Sequence, residues 1–378
     1  MDALLADATA MIRCESPSSD PESLARSAEV VARVGAGRLG TAPEVLVREG
    51  RPHLRWRFGA GPPQVLLLGH HDTVWPLGSL AAHPCEVRDG VLRGPGCFDM
   101  KAGLAMAFSA VAALPDRSGV SILVTADEEV GSPSSRALIE DEARGCAAAL
   151  VLEASADGGA LKTARAGVSL YEVRLTGRAA HAGLEPEAGV NAALEAASQL
   201  LAVARLAAPQ LGTTVTPTLL RAGTTTNTVP AEASFSVDVR TRNGAEQHRV
   251  HAALTGLSPV LAGARVTVSG GPNRPPLESS ASAGLFERAQ RLAGQLGLAP
   301  LRSAAVGGGS DGNFTAGVGT PTLDGLGAVG GGAHADSEHV LVAELAPRTA
   351  LLTALVAELL AERSGATDDV VSSGSSRP

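Results

Sequence analysis

The sequence predicts an α/β domain interrupted by a smaller α+β domain of ferredoxin-like plan. Three observations predict it. Continuous apolar runs alternate with helical patterns over most of the chain, as in a sheet covered on both faces. Midway, the pattern changes to strict alternation, as in half-exposed antiparallel strands. Polar residues collect where the apolar runs stop.

The apolar runs lie at 64–69 (QVLLLG), 119–125 (GVSILVT), 147–152 (AAALVL) and 321–326 (PTLDGL), and each reads as a buried strand. Helical patterns occupy 101–114, 134–144, 285–296 and 346–362. In the last of these, Pro347 falls at the start, where a missing N–H costs nothing. Between the two sets, Tyr171, Val173 and Leu175 alternate with Glu172, Arg174 and Thr176. Phe235, Val237 and Val239 alternate with Ser236, Asp238 and Arg240 in the same way. Helical stretches at 189–207 and 245–257 complete the order β-α-β-β-α-β, the split-βαβ plan.

A chain of 378 residues suggests two or three domains at ~100–200 residues each, or one large domain with an insertion. Hydrophobic residues at 44% and charged residues at 19% suit a globular protein and exclude a disordered one. The net charge of −8 argues against nucleic acid or anionic membranes as partners. With six Phe, two Trp and one Tyr, base-stacking platforms are not expected either. No apolar run reaches the ~18–20 residues of a membrane span. Cys14, Cys85, Cys97 and Cys146 form no CxxC pair, which fits reduced thiols in a cytoplasm. The first residues carry Asp2 and Asp7 and no basic stretch, so an export signal is not expected and the protein reads as cytoplasmic. The Ser/Gly/Asp-rich segment 364–378 reads as a disordered tail.

Chemistry gathers at the strand ends. His70 and Asp72 follow QVLLLG; Asp127, Glu128 and Glu129 follow SILVTA; Glu153 follows AALVL; His334 comes shortly after PTLDGLG. Ligands of open α/β sheets bind at the carboxyl ends of the strands. Asp99 joins the set from the Gly-rich turn GPGCFDMK. Imidazoles with carboxylates suit zinc or a similar divalent ion. In an extended chain His70 and Asp72 share a face, so Asp72 can orient the imidazole. Adjacent Glu128 and Glu129 cannot point the same way, so one can bind metal while the other handles a proton. Taken singly, none of these is telling: a Glu-Glu pair is usually a solvated face, and an Asp in a Gly-rich turn is usually a turn residue. The joint pattern at consecutive strand ends carries the reading. His53, His83, His248, His251 and His339 read as surface residues, and His71 as a neighbour turned away from His70. The stretch GGGS, ending in Gly308, Gly309 and Ser310, lacks the Lys of a phosphate loop and fits a backbone cradle for a carboxylate.

Nine motifs occur in order: GHHDTV, GPGCFDMKAG, TADEEVGS, VLEAS, GRAAHAG, NTVP, DVR, GGGSD and GAHADSE. Together they resemble the di-zinc exopeptidase and deacylase family, metallopeptidase family twenty. They are most like the bacterial glutamate carboxypeptidase branch, and also resemble acetylornithine deacetylase and succinyl-diaminopimelate desuccinylase. The resemblance implies a three-layer α/β/α zinc-exopeptidase catalytic domain at 1–166 and 273–363. It implies an inserted α+β ferredoxin-like lid and dimerisation domain at 167–272.

It also implies roles. Asp99 matches a carboxylate bridging two divalent metals, zinc first, with cobalt or manganese fitting the same ligands. His70 and Glu153 match the other ligands of one metal, and Glu129 and His334 those of the second. Glu128 matches the general base acting on a water between the metals, and Asp72 the residue that orients His70. The Asp99–Met100 bond is expected to be cis. His181 matches a lid histidine reaching into a partner subunit's site; Asn227 and Arg240 match residues holding a substrate carboxylate. Glu153 argues against the branch with a His at that place, and the first motif lacks the Cys of the hippurate branch. The expected activity is hydrolysis of the amide of an N-acyl amino acid or short peptide bearing a free carboxylate, by a homodimer joined through the lid. A narrow biosynthetic deacylase and a non-catalytic metal scaffold are the alternatives.

Overall fold

The computed structural model describes residues 2–372. The chain divides into two compact units. The first takes in the residues up to Ala164, Ser279–Val306 and those from Ser310 on; the second takes in Arg165–Glu278 and Gly307–Gly309. The reading from sequence put the boundaries near 167 and 272. The second unit reaches further at both ends because Arg165 and Leu277 pair through their backbones, at 2.9 and 3.1 Å.

The first unit is built on a six-stranded sheet. Its order is Glu44–Arg48, Arg51–Arg57, Val120–Thr125, Val65–His70, Ala148–Val151 and Thr322–Leu323. The last four run parallel. The first two form an antiparallel hairpin on one edge, so the sheet is mixed. That hairpin escaped the sequence reading, although Glu49 and Gly50 turn it with φ of 49° and 76°, as a two-residue primed turn requires. The strand expected at 321–326 shrinks to Thr322–Leu323 because Gly325, at φ 75°, turns the chain away.

Both faces of the sheet are covered, and strand alternation sorts the side chains between them. Val65, Leu67, Ile122, Val124 and Leu150 pack in the larger core with residues of Asp2–Ile12, Pro21–Leu39, Ala102–Ala112, Ser279–Gln295 and the C-terminal helix. Leu66, Leu68, Leu123 and Ala149 pack in a smaller core with Ile139, Ala143 and Phe314. This is the three-layer α/β/α arrangement. One contact is very tight: a Cβ at Gly103 would lie 2.2 Å from the Leu152 carbonyl oxygen.

The C-terminal helix spans Val342–Ser372, and Pro347 lies inside it rather than at its start. The chain passes from the strand His339–Leu341 straight into this helix, a turn earlier than its apolar pattern suggests. Pro347 therefore withholds an N–H from the Ala343 carbonyl. The helix enters the segment expected to be a disordered tail; the part of that tail from 373 on lies outside the described residues. Among the described residues, no helix is long and apolar enough to cross a membrane.

The second unit is a four-stranded antiparallel sheet ordered Thr214–Ala222, Glu232–Thr241, Gly167–Thr176 and Arg265–Arg274. With helices Ala192–Ala204 and Gly244–Thr255 between strands, this is the ferredoxin-like order. Tyr171, Val173, Leu175, Phe235, Val237 and Val239 face those helices, as their alternation predicts.

Candidate metal centre

The three central parallel strands stop at His70, Thr125 and Val151, and the chain just beyond each stop carries the site. His70 is the last residue of its strand and is 1% exposed. Glu153 follows the next strand by two residues. Asp99 comes from the turn after Gly96, and the Asp99–Met100 bond is cis, as the resemblance implies. His334 sits at φ 63° in the turn before His339–Leu341.

These side chains converge. Asp99 Oδ1 lies 3.2 Å from His70 Nε2, and Asp99 Oδ2 lies 3.3 Å from His334 Nε2. Glu153 Oε1 is 3.6 Å from His70 Nε2, and Glu129 Oε2 is 3.2 Å from His334 Nε2. The five residues thus form two groups that share one carboxylate. Donor atoms of His70, Glu128 and Glu153 lie within 4.8 Å of one another, which brings Glu128 to the first group.

Glu128 and Glu129 are not in extended chain, as the sequence reading assumed. They stand in a single tight turn, Glu128–Val130. The buried Asp127 carboxylate folds that turn by accepting from the backbone and hydroxyl of Ser134, both at 2.7 Å, and from the Ser135 hydroxyl at 2.5 Å. Asp72, expected to orient His70, contacts more than that ring. The nearer contact to His70 Nδ1 is the Asp72 carbonyl at 3.0 Å, against 3.4 Å for its carboxylate. That carboxylate accepts from the Ser18 hydroxyl at 2.7 Å and from the N–H groups of Glu128 and Glu129, both at 3.2 Å.

His53 is fully buried, a correction to its reading as a surface residue. Its Nδ1 accepts from Ala126 N–H at 3.2 Å, so Nε2 carries the proton and faces the Ser134 hydroxyl at 3.1 Å. His71 is also buried, between Ser27 and Pro52, and takes no part in the cluster. The sequence reading also missed Glu338, 4% exposed, whose carboxylate accepts from Trp75, Gly96, Phe98 and Asp99. Its place in the His334 motif was the available signal.

The electrostatics fit a cation. Glu129 Oε1 is buried with no hydrogen-bond partner, an arrangement costly for an acceptor unless an ion completes it. Asp99 and then Glu129 push the His334 imidazole up to about 10 against the pull of burial. Burial pulls His70 down, but Asp72, Asp99 and Glu153 outweigh it and raise it well above its usual value. Burial pushes Glu129 up, while His334 and His70 hold Asp99 well below the carboxylate range despite its own burial. Carboxylates this dense keep protons on both imidazoles, where divalent ions would replace them.

The remaining predicted residues belong largely to the second unit, where they lie apart from one another in role. His181 is exposed; its Nδ1 accepts from Gly183 N–H at 3.1 Å, so the neutral ring presents an Nε2–H. Asn227 is exposed, and its carbonyl accepts from Ala182 N–H at 2.9 Å. Arg240 closes a two-pronged pair with Asp238, both bonds 2.8 Å. The carbonyls of Gly308 and Gly309 each accept from Arg165 at 3.2 Å. Ser310, in the first unit, is fully buried, and its hydroxyl donates to Asp324 at 2.6 Å.

Two imidazoles and three carboxylates, one shared, at the carboxyl edge of a parallel sheet are a donor set that could hold two metal ions. The family model described as peptidase family M20/M25/M40 matches residues 66–358, and the chain belongs to that family. It is 31% identical over 320 residues to carboxypeptidase G2 of Pseudomonas sp. (strain RS-16), covering 80% of this chain and 75% of that one. It is 29% identical over 378 residues to succinyl-diaminopimelate desuccinylase of Methylorubrum extorquens (strain PA1), covering 92% and 96%. The fold matches aminopeptidase PepT from Bacillus cereus ATCC 10987 with a TM-score of 0.74 at 23% identity, covering 95% of this chain and 98% of that one. It also matches the Bacillus subtilis YXEP protein, a dinuclear metal-binding peptidase, with a TM-score of 0.64 at 16% identity, covering 95% and 99%. The protein is a metallohydrolase of the M20 type.

Proposed function

We propose that the protein hydrolyses the amide bond of an N-acyl amino acid or short peptide whose released residue carries a free carboxylate. The observation that carries this is the shared Asp99, with one oxygen 3.2 Å from His70 and the other 3.3 Å from His334. Two divalent ions, zinc by the donor set, would be held by His70, Asp99 and Glu153 and by Asp99, Glu129 and His334. When bound, they polarise the amide carbonyl and acidify water. Glu128 takes the proton of the attacking water and returns it to the leaving amine. Asp72 steadies His70 and, through two N–H groups, the turn bearing Glu128. His181 offers its Nε2–H to the developing oxyanion.

Arg240 and Asn227 hold the substrate carboxylate, which takes the place of Asp238 on the guanidinium fork. The turn at Gly308, Gly309 and Ser310 adds only main-chain groups, since the Ser310 hydroxyl is committed to Asp324. The working unit is a homodimer through the lid. In support, the unpaired edge strand Thr214–Ala222 exposes Leu219 and Leu220, and the helix Ala192–Ala204 exposes Leu194 and Leu201. Free Cys14, Cys85, Cys97 and Cys146 suit a reducing cytoplasm.

The test is turnover of an N-acyl amino acid against its C-terminal amide by enzyme of measured metal content. The acid is expected to be strongly preferred, and Arg240→Ala to cost ~2–5 kcal/mol in kcat/KM for the acid alone. Equal turnover of acid and amide removes the carboxylate anchor. Similarity to a desuccinylase over 92% of the chain favours a second reading, a narrow deacylase. Activity confined to one acyl group across a panel of substrates would select it.

A further inference from the structure

We infer that Glu338 is a positioning residue that sets the separation between the shared Asp99 carboxylate and His334, and through it the affinity of the second metal ion. The inference rests on the metal-centre reading above. Glu338 follows His334 by four residues, in a turn closed by Ala335 N–H to the Gly332 carbonyl and Glu338 N–H to the Ala335 carbonyl, at 3.0 and 2.8 Å. Its side chain leaves that turn and grips another. Oε1 accepts from the N–H groups of Phe98 and Asp99 at 2.8 and 3.0 Å. Oε2 accepts from Gly96 N–H at 3.0 Å and from the Trp75 indole at 2.7 Å. The backbone of Glu338 thus belongs to the turn that presents His334, while its carboxylate holds three N–H groups of the turn that presents Asp99. The gap it spans from behind is the 3.3 Å between Asp99 Oδ2 and His334 Nε2.

Two further features favour positioning over simple loop closure. A buried anion is expensive, and closing a surface turn does not call for one. Here four N–H donors converge on it, as a fixed geometry requires. His334 itself holds a left-handed φ of 63°, a conformation that a non-glycine residue keeps only when its surroundings impose it. An amide could not replace the carboxylate. It offers one oxygen for two pairs of donors and would turn its own N–H groups against the other pair.

The test is titration of metal-stripped protein with Zn²⁺, following bound metal for wild type, Glu338→Gln, Glu338→Asp and Trp75→Phe. Removing an outer partner of a metal ligand typically costs ~10–100-fold in affinity. Glu338→Gln is expected to lose that much for the second ion while still binding the first. Trp75→Phe, which removes one donor and leaves the three backbone bonds, is expected to bind close to wild type. Glu338→Asp keeps the charge but, one methylene shorter, cannot reach all three N–H groups and is expected to fall between. A folded Glu338→Gln protein with wild-type affinity for both ions, changed only in Tm, overturns the inference. If Glu338→Gln does not fold, wild-type affinity in Glu338→Asp overturns it instead. Wild-type protein that binds no metal overturns the metal-centre reading itself, a separate result.

Discussion

Glu128 and Glu129 are neighbours to which we assign opposite tasks, and their surroundings support the assignment. Both N–H groups are tied to Asp72, so the two side chains leave one fixed turn in different directions. Glu129 ends 3.2 Å from His334, with its other oxygen buried and unpartnered, as a ligand should be. Glu128 ends beside His70 and Glu153, where a proton carrier can meet the substrate. Glu128→Gln should therefore keep the metal content but lose turnover by ~10²–10⁴-fold. Glu129→Gln should lose metal. Elemental analysis and rate measurements on both variants check this, and swapped phenotypes would reverse the assignment. Protonation follows from the same geometry. His334, raised from 6.5 to about 10 by Asp99 and Glu129, holds a proton at neutral pH in the metal-free protein. Its charged pairs stabilise that form fully below 6.5, and this contribution is lost as the pH rises through about 10. A metal needs the neutral ring, so binding should expel the proton, and metal affinity should climb with pH until about 10. Titration calorimetry in two buffers of different ionisation enthalpy would detect the released proton. Identical heats in both would show that none is released.

At the scale of elements, the site depends on how closely a helix can approach a strand end. The helix Ala102–Ala112 begins three residues after Asp99 and passes over the end of the strand that leads to Glu153. Gly103 makes this approach workable, since any Cβ there would meet the Leu152 carbonyl oxygen at 2.2 Å. That backbone oxygen cannot swing aside as the end of a flexible side chain would. Gly103→Ala should therefore cost ~1–3 kcal/mol by overpacking. It should also weaken metal binding, because Asp99 and Glu153 flank the contact. Denaturant unfolding and metal titration of the variant check both effects; unchanged metal affinity in a destabilised protein would separate packing from the site. The elements that the sequence announced are those with strong periodicity, such as Val65–His70 and Val120–Thr125. The hairpin Glu44–Arg57 was harder to see, because its first strand is mostly exposed and only Leu46 is buried.

On the scale of the whole molecule, the five candidate metal ligands all belong to the first unit, drawn from segments up to 264 positions apart in sequence (His70 to His334). Metal should accordingly stabilise the folded chain by mass action, by ~4 kcal/mol at a thousandfold excess over Kd. Chelation should lower Tm, and Asp99→Ala should lose most of this dependence; a Tm indifferent to chelator in metal-loaded protein would contradict it. The candidate ligands were legible in the sequence because each stands at the end of an apolar run or inside a short motif. The ferredoxin-like order was legible because alternation and helical patterns follow one another without long gaps. What only the tertiary structure decided was which groups hold those residues in place. Ser18 on Asp72, Asp127 on the Ser134 turn, buried His53 and Glu338 on the Asp99 turn are contacts between segments 7 to 242 positions apart. A chemical motif is local and leaves its mark on neighbouring letters. A hydrogen bond between distant turns depends on the path of the backbone between them, and that path exists only once the sheet and its two cores have formed.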